Sequence, residues 1–162
     1  MKRIAWVAVV VIALFSCINI SCAQKDGMTT DSQAVDFSLP DLSGTNVSLK
    51  EVVPANKATL LVFWATWCPY CVKEIPDLKK MNAAYQDKGL KILAIDLGES
   101  AAKVQAYAKE NGLDYTILLD KENKVASQYG VVGIPTSILI NSKNMVEYRG
   151  TPLPPDDVLP KK

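Results

Sequence analysis

Apolar and polar residues follow one another along this chain in blocks that predict alternating strands and helices. Four apolar runs have the length and composition of buried strands, and three stretches favour helices. The strands are predicted at 57–64, 90–97, 115–119 and 136–140, and the helices at 69–87, 100–111 and 121–129. This order predicts an α/β fold, in which a central mixed β-sheet is flanked by helices on both faces.

Shorter elements precede and follow this block. Residues 36–39 and 46–49 alternate like two short strands around a turn, and a final hairpin strand is predicted at 145–149. Several prolines follow within 152–162, and they forbid a long helix at the end of the chain.

The first 23 residues have the pattern of a segment that targets the protein for export. Two basic residues precede an uncharged apolar run at 4–15, which has the length of a signal-peptide core and is shorter than the roughly 20 residues of a membrane-spanning helix. Three interpretations stay open: a cleaved signal peptide ending at Ala23, a lipoprotein anchor lipidated at Cys17 or Cys22, and an uncleaved membrane anchor. Each places the remainder outside the cytoplasm, in the periplasm or on the outer face of the membrane.

The rest of the chain divides into three parts. Residues 24–34 are polar and predict a flexible tether, residues 35–151 carry all the predicted strands and helices, and residues 152–162 form a Pro-rich tail. The sequence shows no internal repeat and no second domain, so a single domain is expected. We also expect it to be a monomer.

Composition and charge exclude several functions. The 162 residues are 49% hydrophobic and 22% charged, which is typical of a domain with a substantial core. A formal net charge of +1 gives no reason to expect a nucleic-acid partner. The chain has no histidine, so it lacks the commonest metal ligand and the commonest general base.

With no histidine available, the cysteines are the main candidates for reactive residues. Two of the four lie in the targeting segment, which leaves Cys68 and Cys71 in the domain. A bridge between them would close a very short loop and would restrain the unfolded chain little, so the pair is better suited to redox exchange than to stabilisation. Half of a structural zinc site is the alternative, but such a site needs four ligands and no other thiol pair or histidine is present in the domain. No metal and no cofactor are therefore predicted.

The position of this pair predicts unequal roles for its two sulfurs. Cys68 follows a buried strand and begins a helix, with Pro69 at the first helical position. Free backbone N–H groups and the helix dipole favour a thiolate there. Cys71, one turn further on, is expected to be more buried and protonated. Cys68 should therefore attack a partner disulfide, and Cys71 should resolve the mixed disulfide.

The sequence WATWCPYC at 64–71, followed by the Lys-Glu-Ile-Pro of 73–76, resembles the exported TlpA/ResA-like thiol–disulfide oxidoreductases of the thioredoxin superfamily. The resemblance extends over about 35–150 and includes 96–100 and 131–136. It implies a thioredoxin fold with an N-terminal strand extension and a C-terminal helix that is shortened here. The family includes factors for cytochrome c maturation.

The same resemblance assigns further site residues. It implies that the Ile134–Pro135 peptide bond is cis and faces the Cys68 sulfur, which would leave the backbone of Ile134 free to pair with an extended substrate segment. It also implies that Glu74 lies near the cysteines and tunes their protonation. The alternative is a solvated glutamate paired with Lys73 or Lys80.

Two other residues near the cysteines have predicted roles. Trp67 is expected to flank the site and shape its contact surface. Tyr70, together with Pro69 between the cysteines, is expected to tune the reduction potential.

Four functions are compatible with these features. The leading one is a reductant that receives electrons from a membrane thiol carrier and reduces exported proteins with cysteine pairs, apocytochromes c among them. A disulfide oxidant or isomerase uses the same residues in the opposite direction. A thiol peroxidase and a metal-binding module on the same fold are less well matched.

Overall fold

A five-stranded sheet in the order β5-β4-β3-β6-β7 forms the centre of the molecule, and a two-stranded sheet, β1-β2, precedes it. The computed structural model describes residues 29–161. The predicted targeting segment, with Cys17 and Cys22, and residues 24–28 of the predicted tether lie outside the described residues. The strands are Ser38–Pro40 (β1), Asn46–Ser48 (β2), Ala58–Trp64 (β3), Leu90–Leu97 (β4), Thr116–Asp120 (β5), Thr136–Asn141 (β6) and Val146–Gly150 (β7). The helices are Leu49–Ala55 (α1), Pro69–Tyr85 (α2), Ala101–Asn111 (α3) and Lys124–Gln128 (α4).

The central sheet is mixed, as predicted. Strand β3 pairs in parallel with β4 and antiparallel with β6, and β4 pairs in parallel with β5. All seven residues of β3 are buried, because the strand lies in the middle of the sheet and helices cover both of its faces. One face packs against α2 and α3, and the other packs against α1, α4 and the N-terminal strands. No helix among residues 29–161 has the length and apolar character that crossing a membrane requires.

Two of the shorter helices differ from the prediction. Helix α1 was not predicted, because its seven residues are too few to establish a helical period and include Pro54. Helix α4 was predicted from residue 121 but begins at Lys124. The Asp120 carboxylate accepts hydrogen bonds from the backbone N–H groups of Lys124 and Ala126, both at 2.9 Å, and so fixes the later start.

The segment preceding β1 is attached to the domain earlier than predicted. The Asp31 N–H donates to the Val146 carbonyl at 2.8 Å, and the Ala34 N–H donates to the Asn144 carbonyl at 2.9 Å. Ala34 is buried. Residues 31–34, which the sequence assigns to a flexible tether, thus pair with the hairpin between β6 and β7, because their backbone groups find partners there that composition does not show.

The Pro-rich tail forms turns. The family resemblance implied a C-terminal helix here, shortened in this chain. The Val158 N–H donates to the Pro155 carbonyl at 3.3 Å, and the Leu159 N–H donates to the Asp156 carbonyl at 3.4 Å. Leu159 is buried in the same core cluster as the inward face of α2. The tail therefore covers part of the apolar surface that a longer helix would cover.

Candidate active site

The two domain cysteines lie where β3 gives way to α2. Cys68 is the N-cap residue of α2, and Pro69 occupies its first turn. The sulfurs of Cys68 and Cys71 are joined in a disulfide. The Cys71 backbone N–H also points at Cys68 Sγ, at 3.2 Å from nitrogen to sulfur. This N–H and the helix dipole have the positions that favour a thiolate over a thiol, so the predicted thiolate on Cys68 in the reduced protein stays a prediction with a structural basis.

The two cysteines do not differ in burial as predicted. Cys68 is 3% exposed and Cys71 is 4% exposed. Cys68 faces the loop before β6 and not open solvent, and the Ile134 carbonyl oxygen lies 3.7 Å from its sulfur. A difference in reactivity must therefore come from the position of Cys68 at the helix N-terminus and not from exposure.

The loop before β6 contains a cis peptide bond next to the disulfide. The Ile134–Pro135 bond is cis, which confirms that prediction. The pairing of β6 with β3 ends at Thr136, so the backbone of Ile134 lies beyond the ladder. Pro135 is buried and lines a narrow cavity that Cys71 and Glu74 also line.

Glu74 is half-buried at this cavity. Burial raises the pKa of its carboxyl, the backbone N–H of Leu153 acts in the opposite direction, and the charge of Asp77 adds to the increase. Within residues 29–161 Glu74 takes part in no ion pair, and Lys80 pairs with Asp77 at 2.9 Å. The geometry places a carboxyl group with a raised pKa in the same cavity as Cys71, and the role of Glu74 stays a prediction.

Exposed apolar side chains surround the disulfide. Trp67 is 65% exposed and Tyr70 is 70% exposed. Val132, in the loop that contains the cis proline, is fully exposed. Tyr70, Val132 and the Ile134–Pro135 peptide line one open depression. This surface is where Trp67 and Tyr70 were expected, although their effects on binding and potential stay predictions.

Comparisons with known proteins agree with this geometry. The AhpC/TSA family matches residues 30–149. The thiol-disulfide oxidoreductase ResA of Halalkalibacterium halodurans is 34% identical over 140 residues, which are 86% of this chain and 78% of that protein. ResA of Bacillus subtilis is 31% identical over 82% of this chain and 73% of that protein. The chain belongs to the AhpC/TSA family and to the ResA-like thiol–disulfide oxidoreductases.

The fold of this ResA-like protein is also that of solved relatives. The thioredoxin domain of a thiol-disulfide oxidoreductase from Bacteroides vulgatus superposes with a TM-score of 0.69 at 28% identity, covering 75% of this chain and 88% of that one. The predicted thioredoxin fold is thereby confirmed.

The ResA-like chain holds a second group of acidic residues near the cysteines, to which the sequence assigned no role. Glu99 is buried and its carboxylate accepts two hydrogen bonds from Thr66, from the backbone N–H at 2.6 Å and from the hydroxyl at 2.8 Å. Lys103 pairs with the same carboxylate at 2.5 Å. Residues 96–100 carried part of the family resemblance, and that was the one signal available.

Asp96 adjoins Glu99 at the end of β4. Its carboxyl accepts the Glu99 backbone N–H at 3.2 Å, and it is fully buried. Burial, and after it the neighbouring Glu99 carboxyl, raises the pKa of Asp96 to about 8. Burial also acts to raise the pKa of Glu99, but the hydrogen bonds from Lys103 and Thr66 outweigh it and hold that pKa below its usual value. At neutral pH Glu99 is therefore the ionised member of the pair.

Proposed function

We propose that this protein exchanges its Cys68–Cys71 disulfide and dithiol with exported protein substrates, and that it works as a reductant. The observation that carries the proposal is the placement of Cys68 as the N-cap of α2, bonded to Cys71 and adjacent to the cis Ile134–Pro135 peptide. The N-terminal segment supports a location outside the cytoplasm, in the periplasm or on the outer face of the membrane, with residues 1–23 as signal or anchor.

The reaction takes place in two displacements. The Cys68 thiolate attacks one sulfur of a substrate disulfide, the other substrate sulfur leaves as a thiolate, and a mixed disulfide forms. Cys71 then loses its proton and attacks Cys68 Sγ, so that the second substrate sulfur leaves. Two electrons pass to the substrate and the Cys68–Cys71 disulfide is formed. A membrane thiol carrier reverses the exchange and restores the dithiol.

Glu74 is suited to accept the proton in the second displacement. Its carboxyl lines the same cavity as Cys71, and its raised pKa brings it closer to that of a thiol. Ile134 lies beyond the ladder of β6, so an extended substrate segment could pair with its backbone while Trp67 and Tyr70 contact the flanking side chains. Apocytochromes c, with their paired cysteines, are the substrates that the family resemblance suggests.

The reduction potential decides between this function and its reverse. A reductant is expected to have a potential below about −250 mV, near that of thioredoxin. The measurement is the equilibrium of the purified protein with glutathione or dithiothreitol mixtures, followed by Trp fluorescence or thiol labelling. A value above about −200 mV would instead identify an oxidant or isomerase.

Glu74→Gln tests the protonation role. Removing a negative charge beside the cysteines should favour their thiolates and lower the apparent pKa of alkylation by about half a unit to one unit. The measurement is the rate of iodoacetamide labelling of the reduced protein from pH 4 to 10. Glu110→Gln, the same exchange at an exposed glutamate on α3, is the matched control. An unchanged profile in Glu74→Gln would make Glu74 an ordinary surface charge.

A further inference from the structure

We propose that Glu99 is a positioning residue for the redox centre, and that it holds the loop that brings Cys68 to the N-terminus of α2. The loop comprises residues 65–67, between the end of β3 and the N-cap. The proposal deepens the thiol–disulfide exchange described above and rests on it.

Glu99 binds this loop at its midpoint. Thr66 is two residues before Cys68, and both its backbone N–H and its hydroxyl donate to the Glu99 carboxylate. The Cys68 N–H donates to the Ala65 carbonyl at 3.2 Å, so Thr66 lies inside a closed turn. Fixing Thr66 therefore limits the movement of the whole turn, and with it the direction in which Cys68 leaves the sheet.

Glu99 is itself rigidly held. Its side chain is 5% exposed, and its backbone N–H donates to Asp96, which belongs to β4. Strand β4 is the parallel neighbour of β3, with Asp96 opposite Trp64 in the register. The two loops that leave this end of the sheet are therefore tied together through one carboxylate, and the strands supply the rigid base.

The charges around Glu99 favour a geometric role over an electrostatic one. Lys103 pairs with the carboxylate one helical turn away and neutralises it. The neighbouring Asp96 is largely protonated near pH 7, because its pKa is about 8. The cluster thus adds little net field at Cys68, and its main contribution is two short hydrogen bonds to Thr66.

Glu99→Ala and Glu99→Gln separate position from charge. The alanine removes both acceptors, so Cys68 should fit the helix N-terminus less well. We expect kcat for disulfide reduction to fall about 10- to 100-fold and the alkylation pKa of Cys68 to rise by about half a unit to one unit. The glutamine carbonyl still accepts the Thr66 N–H, and the Thr66 hydroxyl can turn to accept from the glutamine amide. Glu99→Gln should therefore stay within about threefold of the unchanged protein, on the scale of one weak hydrogen bond.

The measurements are insulin reduction kinetics, the pH profile of Cys68 labelling, and thermal unfolding to check the fold. Glu110→Ala, an exposed change on α3, is the control. If Glu99→Ala does not fold, Thr66→Val is the second variant, because it removes the hydroxyl donor and keeps the backbone one. It should lower kcat and raise the alkylation pKa of Cys68, both by less than Glu99→Ala. Folded Glu99→Ala or Thr66→Val with unchanged kcat and labelling profile would overturn the proposal. Equal losses in Glu99→Ala and Glu99→Gln would overturn it too, because charge would then be the cause. The labelling profile needs no substrate, so it tests Glu99 even if no disulfide exchange is found.

Discussion

Cys71→Ser is expected to accumulate a mixed disulfide between Cys68 and its substrate, whereas Cys68→Ser should abolish turnover. The first displacement needs only the Cys68 sulfur, whose thiolate is favoured at the N-terminus of α2. The second displacement needs Cys71, and without it the substrate cannot be released. Because exchange by this route requires both sulfurs, either change should lower the rate of insulin reduction by about a thousandfold or more.

The trapped species can be measured by non-reducing electrophoresis and by mass spectrometry after incubation with a peptide disulfide. Both variants are best made in a background with Cys17 and Cys22 replaced by serine, so that every adduct arises from one sulfur. If Cys68→Ser accumulates adducts on Cys71 as fast as Cys71→Ser does on Cys68, the assigned roles are wrong.

Leu159→Ala is expected to lower the free energy of unfolding by about 2–4 kcal/mol. Leu159 is 3% exposed and packs in the core cluster that contains Cys71, Ile75 and Leu78 of α2. The alanine would leave a cavity beneath the tail, because the surrounding prolines limit how far the backbone can move to fill it. Urea unfolding followed by fluorescence measures the effect.

Asp157→Ala is the matched control, because Asp157 is exposed and two residues away. It should change the unfolding free energy by less than about 0.5 kcal/mol. A loss equally small for Leu159→Ala would show that the tail leaves this surface in solution, and that the apolar side of α2 is open there to a partner.

Hydrophobic patterning predicted those strands and helices that are marked by neighbouring residues in the sequence. Strand β4 was predicted with its observed bounds, because eight mostly apolar residues lie between Gly89 and Gly98. Gly89 and Gly112 both have positive φ, as helix-ending glycines commonly do. The site could be located for a similar reason, since Cys68, Pro69 and Cys71 lie together in the sequence.

The remaining features depend on partners that are distant in the sequence. Glu99 and Thr66 are 33 residues apart, and neither shows a pattern that predicts a buried pair. Asp96 lies near the end of an apolar strand, and nothing in the neighbouring sequence indicates that its carboxyl has a raised pKa. The equal burial of the cysteines was missed because it depends on the loop around Ile134, which is 66 residues from Cys68.

The attachment of residues 31–34 to the β6–β7 hairpin has a consequence for how the molecule is oriented. That hairpin lies beside the beginning of β3, whereas Cys68 follows its end. Seven residues of strand separate the two points by about 20 Å. If residues 1–23 fasten the chain to a bilayer, the attachment point on the domain and the reactive sulfur would thus lie at opposite ends of β3. Reduction by a carrier within the bilayer would then require a rotation of the domain that brings the Cys68 end of β3 to the lipid surface.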